Sequence, residues 1–82
     1  MRVSITVLLF ASYADMLGAQ TLAVDLPAGS TVADLVAQIR RRPGADRLPA
    51  SPLVAVNQRY ASPSSLIELG DEVALIPPVA GG

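Results

Sequence analysis

Apolar and polar residues alternate from Val3 to Phe10, with Val3, Ile5, Val7 and Leu9 on one side and Ser4 and Thr6 on the other. That period of two marks a strand with one buried face. Leu8 and Phe10 break the polar side. The segment ASYADMLGAQ then departs from the alternation and reads as a loop, with Gly18 free to take a positive φ. TLAVDL restores it, placing Leu22, Val24 and Leu26 on one face and Thr21, Ala23 and Asp25 on the other. Two consecutive strands of this kind pair most simply as an antiparallel hairpin.

Past the turn at Pro27-Ala28-Gly29 the period changes. Val32, Leu35, Val36 and Ile39 stand at i, i+3, i+4 and i+7, one apolar stripe on a helix. Ser30 or Thr31 can cap that helix, and Thr31 with Asp34 has the spacing of a capping box. Arg40, Arg41 and Arg42 load its last turn with cations that suit the negative end of the dipole, as a solvated helix end. Pro43 and Gly44 stop it.

ADRLPASP reads as loop, LVAVNQRYA as two short strands about Asn57-Gln58, and SPSSLIELGD as irregular chain. Glu72 to Ile76 is the last strand, ended by Pro77, which has no N–H for a ladder. The order β-β-α-β-β-β predicts an α+β fold of the β-grasp, ubiquitin-like plan. One main helix covers one face of a mixed sheet of four to five strands, with the first and last strands parallel neighbours. Residues 1–76 form the domain and 77–82 an extended tail.

Composition narrows the chemistry. The chain has 82 residues, 51% of them hydrophobic, which makes one small domain. It has no Cys and no His, so thiol nucleophiles, thiolate metal sites and imidazole bases are excluded and no metal site is expected. A net charge of −1 favours neither nucleic acid nor an anionic membrane as partner. No apolar stretch is long enough to span a bilayer, and the strand periodicity of the first residues argues against a signal peptide; a cytoplasmic protein is expected. Its serines have no base to activate them. A carrier or binding role fits better than catalysis by this chain alone.

Two features invite a functional reading. If Val73 and Leu75 join the core, Ala74 and Ile76 point away, beside Leu8 and Phe10 of the first strand, and Tyr60 can join them. Such an exposed apolar patch marks an interface. Beside it the chain continues as PPVAGG. Six residues reach roughly 20 Å when extended at about 3.3 Å each. Pro77 and Pro78 pre-order the root, Val79 and Ala80 suit a narrow apolar channel, and Gly81 and Gly82 leave the last carboxylate open to attack.

LLFASYADMLG, LPAGSTVADL, VAVNQRY and GDEVALIPPVAGG, in this order over nearly the whole chain, resemble the sulfur-carrier small subunits of molybdopterin synthase. The resemblance implies that the Gly82 carboxylate is adenylated with ATP by a ubiquitin-activating-type adenylyltransferase. Sulfur from a donor protein then replaces AMP as a thiocarboxylate. The tail, Pro77 to Gly82, would enter the large subunit of a heterotetrameric synthase and deliver sulfur to cyclic pyranopterin monophosphate in molybdenum cofactor biosynthesis. Leu8, Phe10, Tyr60, Ala74 and Ile76 would face that partner, with no cofactor bound to the carrier itself. A thiamine-pathway sulfur carrier, a ubiquitin-like modifier and a plain interaction module remain as alternatives. The diproline favours the molybdopterin branch over the thiamine one.

Overall fold

The strands follow the alternation closely. In the computed structural model, which describes residues 1–78, β1 (Arg2–Leu9) buries Val3, Ile5, Val7 and Leu9 and exposes Ser4 and Thr6. It pairs antiparallel with β2 (Thr21–Pro27), Ile5 opposite Val24 and Val7 opposite Leu22. β3 (Leu53–Val56), β4 (Arg59–Tyr60) and β5 (Glu72–Ile76) complete the sheet in the order β2-β1-β5-β3-β4. β1 and β5 run parallel at its centre, Val7 beside Val73 and Leu9 beside Leu75, and every other pair is antiparallel. A parallel pair requires a long crossover, and the chain between β1 and β5 supplies it. The fold is the β-grasp expected from the order of elements.

α2 (Val32–Arg40) lies against the buried face through Val32, Leu35, Val36 and Ile39. Both halves of its capping box form. Thr31 Oγ1 accepts from the Asp34 N–H at 3.3 Å, and the Thr31 N–H donates to Asp34 Oδ2 at 2.9 Å. Ser30, the other candidate cap, instead donates its hydroxyl to the Pro27 carbonyl at 2.7 Å, tightening the turn from β2.

Three segments differ from the sequence expectation. ASYADMLGAQ is not a loop: α1 (Ala11–Leu17) drives Tyr13 into the core at 4% exposure. Burial raises the Tyr13 phenol above its ordinary pKa by desolvating the charged form. Gly18, at φ 68, closes α1 by donating to the Ala14 carbonyl. Within ADRLPASP, residues Ala45–Arg47 make a 3₁₀ turn that buries Ala45 and Leu48. This turn meets α1 at Gly44, where an added Cβ would lie 2.7 Å from the Met16 carbonyl oxygen. Arg42, read as part of a solvated helix end, donates Nη2 to the Ala23 carbonyl at 2.9 Å.

Arg2 makes a matching bond, from Nη2 to the Asp25 carbonyl at 3.1 Å. The ladder bonds from Leu9 N–H to the Gln20 carbonyl and from Ala28 N–H to the Met1 carbonyl set the phase of the β1–β2 pair. In that phase residues 20, 22, 24, 26 and 28 face β1, and Thr21, Ala23 and Asp25 face outward. Both guanidiniums therefore sit on the outer border of β2.

Candidate partner-docking face

Residues paired directly across a ladder share a face. Leu8 pairs with Thr21 on one side and Ala74 on the other, Ala74 with Ala55, and Ala55 with Tyr60. One row thus crosses all five strands on the side away from α2. A second row runs from Phe10, just past β1, to Ile76 and its partner Leu53. Phe10 is 49% exposed, Leu53 46% and Tyr60 73%. Leu8, Ala74 and Ile76 are half-buried between them.

The two rows line a shallow cavity of about 440 Å³, with Leu8, Phe10, Ala55, Tyr60, Ala74 and Ile76 as its apolar surface and Gln58 and Glu72 at its polar end. All five residues expected on the partner face therefore meet at one place. Ala55 and Leu53 were missed. Their signal is in the alternation of LVAV, where Val54 and Val56 face the core, but it becomes useful only once β3 is known to lie beside β5.

The β3–β4 hairpin turns through two residues, Asn57 at φ 52 and Gln58 at φ 69. Asn57 ties this turn to the start of β5: its amide donates to Asp71 Oδ1 at 3.0 Å, and its Oδ1 accepts from the Glu72 N–H at 3.0 Å. Asp71 also accepts from the Glu68 N–H at 2.8 Å, so one carboxylate fixes the corner beside the cavity. Ile76 ends β5 on this face, and Pro77 and Pro78 follow without regular structure. The remaining tail residues singled out above, Val79, Ala80, Gly81 and Gly82, lie outside the described residues. Among the described residues no cluster of three metal-ligating side chains forms, and no helix is long and apolar enough to cross a membrane.

Comparison with known proteins agrees with this architecture. A curated relative from Arabidopsis thaliana, named molybdopterin synthase sulfur carrier subunit, is 32% identical over 81 residues, covering 98% of this chain and 84% of its own. One of the same name from Chlamydomonas reinhardtii is 38% identical, covering 95% of this chain and 98% of its own. Among solved structures, SAMP1 from Haloferax volcanii superposes with a TM-score of 0.84 at 31% identity, covering 96% of this chain and 99% of its own. The model of the ThiS family matches residues 7–82. With that match running from β1 to the last residue, on a β-grasp frame whose open face is apolar, the chain belongs to the ThiS family.

Proposed function

We propose that this protein is the sulfur carrier subunit of a molybdopterin synthase. The observation that carries the reading is the end-to-end identity to relatives of that name, at 32% and 38%. The apolar face supports it: Leu8, Phe10, Leu53, Ala55, Tyr60, Ala74 and Ile76 form a docking surface for the large subunit, contiguous with the strand from which the tail departs. Docking there would bring Pro77 and Pro78 up to the partner, and the length of chain after Ile76, six residues, can reach roughly 20 Å, enough to enter a neighbouring active site.

The chemistry belongs to Gly82. Its carboxylate attacks the α-phosphate of ATP on a ubiquitin-activating-type enzyme, pyrophosphate leaves, and an acyl-adenylate forms. A persulfide sulfur of a donor protein attacks the acyl carbon and AMP departs. Cleavage of the remaining sulfur–sulfur bond by a thiol leaves the thiocarboxylate, which delivers sulfur to cyclic pyranopterin monophosphate. This chain supplies no base or metal for these steps. It contributes a reactive terminus and a surface that presents it.

Intact-mass analysis after incubation with ATP, the pathway's activating enzyme and a sulfur donor tests the proposal. The expected gain equals one oxygen replaced by one sulfur, mapped to Gly82, and deletion of Gly82 abolishes it. No gain, with the activating enzyme competent on a known carrier, would overturn the reading. The likeness to SAMP1 of H. volcanii, also named small archaeal modifier protein 1, favours one second reading, a ubiquitin-like modifier. Under that reading the activated Gly82 is captured by lysines of other proteins, and covalent adducts replace the thiocarboxylate.

A further inference from the structure

Four glycines occupy left-handed backbone positions among the described residues: Gly18, Gly29, Gly44 and Gly70, at φ 68 to 90. Glycine is the residue such positions call for, because it has no Cβ to crowd the following carbonyl. Three other residues also have positive φ: Ala11 at 45, Asn57 at 52 and Gln58 at 69. They are not scattered. Ala11 follows Phe10, and Asn57-Gln58 is the turn that leads to Tyr60, so they border the apolar cavity at its two aromatic rims.

Asn takes this conformation readily through its short polar side chain, whereas Ala and Gln take it at a cost. At the second position of a two-residue hairpin turn glycine is strongly preferred, yet Gln58 stands there. Ala11 bears the whole change of direction between β1 and α1. Phe10 is still extended, at φ −122 and ψ 150, while its carbonyl already accepts from the Tyr13 N–H at 3.0 Å. Tyr13 is locked into the core on one side of this joint and Phe10 stands half out of the surface on the other. A stiff joint holds the exposed ring at a set angle to the buried one; glycine would make the same turn but release the angle.

We infer that Ala11 and Gln58 are positioning residues, their strained backbones holding Phe10 and Tyr60 pre-ordered for the docking partner. Strain held at the margin of a binding surface lowers the entropy lost when the partner arrives. This rests on the docking face proposed above, although the ordering itself is a property of the free chain.

Ala11→Gly is the discriminating variant, since it removes a single methyl and relieves the backbone. Gln58→Gly, which relieves φ 69 and frees the joint in the same way, is its counterpart at Tyr60. Three quantities are read: resistance to urea, NMR relaxation of the Phe10 and Tyr60 rings in the free protein, and affinity for the purified large subunit of molybdopterin synthase. Each variant is expected to resist urea no less than the parent chain, to show a more mobile ring, and to bind roughly 2- to 10-fold more weakly. Rings as ordered as the parent's would overturn the inference, as would unchanged affinity. So would a joint loss of stability and binding, which is what an ordinary structural role gives. If the parent chain itself does not bind the large subunit, the functional proposal fails, and ring mobility in the free variants still decides the positioning role.

Discussion

Phe10 does two jobs on one backbone. It is the N-cap of α1 but makes no side-chain capping bond, and its ring stands 49% exposed over the apolar cavity. Those facts separate its effect on folding from its effect on binding. Asp is a favoured N-cap residue, so Phe10→Asp should hold or raise the thermal midpoint while placing a charge in the proposed docking face. Affinity for the large subunit should fall by about 30-fold, the cost of losing a central aromatic anchor. Titration calorimetry beside a melting curve checks both halves. A variant that melts early instead would place Phe10 in the core. The residues of this face were legible to different depths. Leu8 and Phe10 announced themselves as apolar residues on the polar side of an alternating strand. Leu53 did not, because its exposure at 46% depends on which strand lies beside β3.

The two helices differ in how they declare themselves. α2 carries a reciprocal cap at Thr31 and Asp34 and four buried residues at helical spacing, so local signals and packing agree. α1 has seven residues, no side-chain cap and no acidic residue in its first turn, and is held by tertiary contact. Tyr13, Met16 and Leu17 do stand at helical spacing in the sequence, but so short a pattern is decided by what it packs on. Part of that packing is Gly44, at φ 88, whose missing Cβ leaves room for the Met16 carbonyl. Gly44→Ala should cost about 2–3 kcal/mol, from the left-handed backbone and the lost close approach together. Urea denaturation reads the loss. Hydrogen exchange should show opening greater in α1 than in α2, because α2 is also held by its own capping box and by its packing on β2.

At the scale of the molecule, the crossover sets where the open face lies. β5 lies at the centre of the sheet beside β1, so its far face falls in the middle of the exposed surface and the chain departs from there at Pro77. A tail leaving an edge strand would have no such platform. The parallel pairing of β1 and β5 was readable from the order of elements, but the place of β3 between β5 and β4 was not, since no local pattern fixes the order of short strands. Arg42 was likewise hidden: a sequence shows a cation near a helix end, and only the fold shows the carbonyl it meets. That contact bears on how the molecule behaves in company. β2 is a free margin of the sheet, where the backbone of a second chain would ordinarily add. Its outward acceptors at Ala23 and Asp25 are already engaged by Arg42 and Arg2. Arg42→Ala should lose about 1 kcal/mol of stability and self-associate more than the parent chain with rising concentration, as sedimentation would show, whereas Arg41→Ala should associate no more than the parent. Two arginines thus act as selvedge along β2, the finished border that hinders a fabric from being extended on that side, while the broad apolar face stays open.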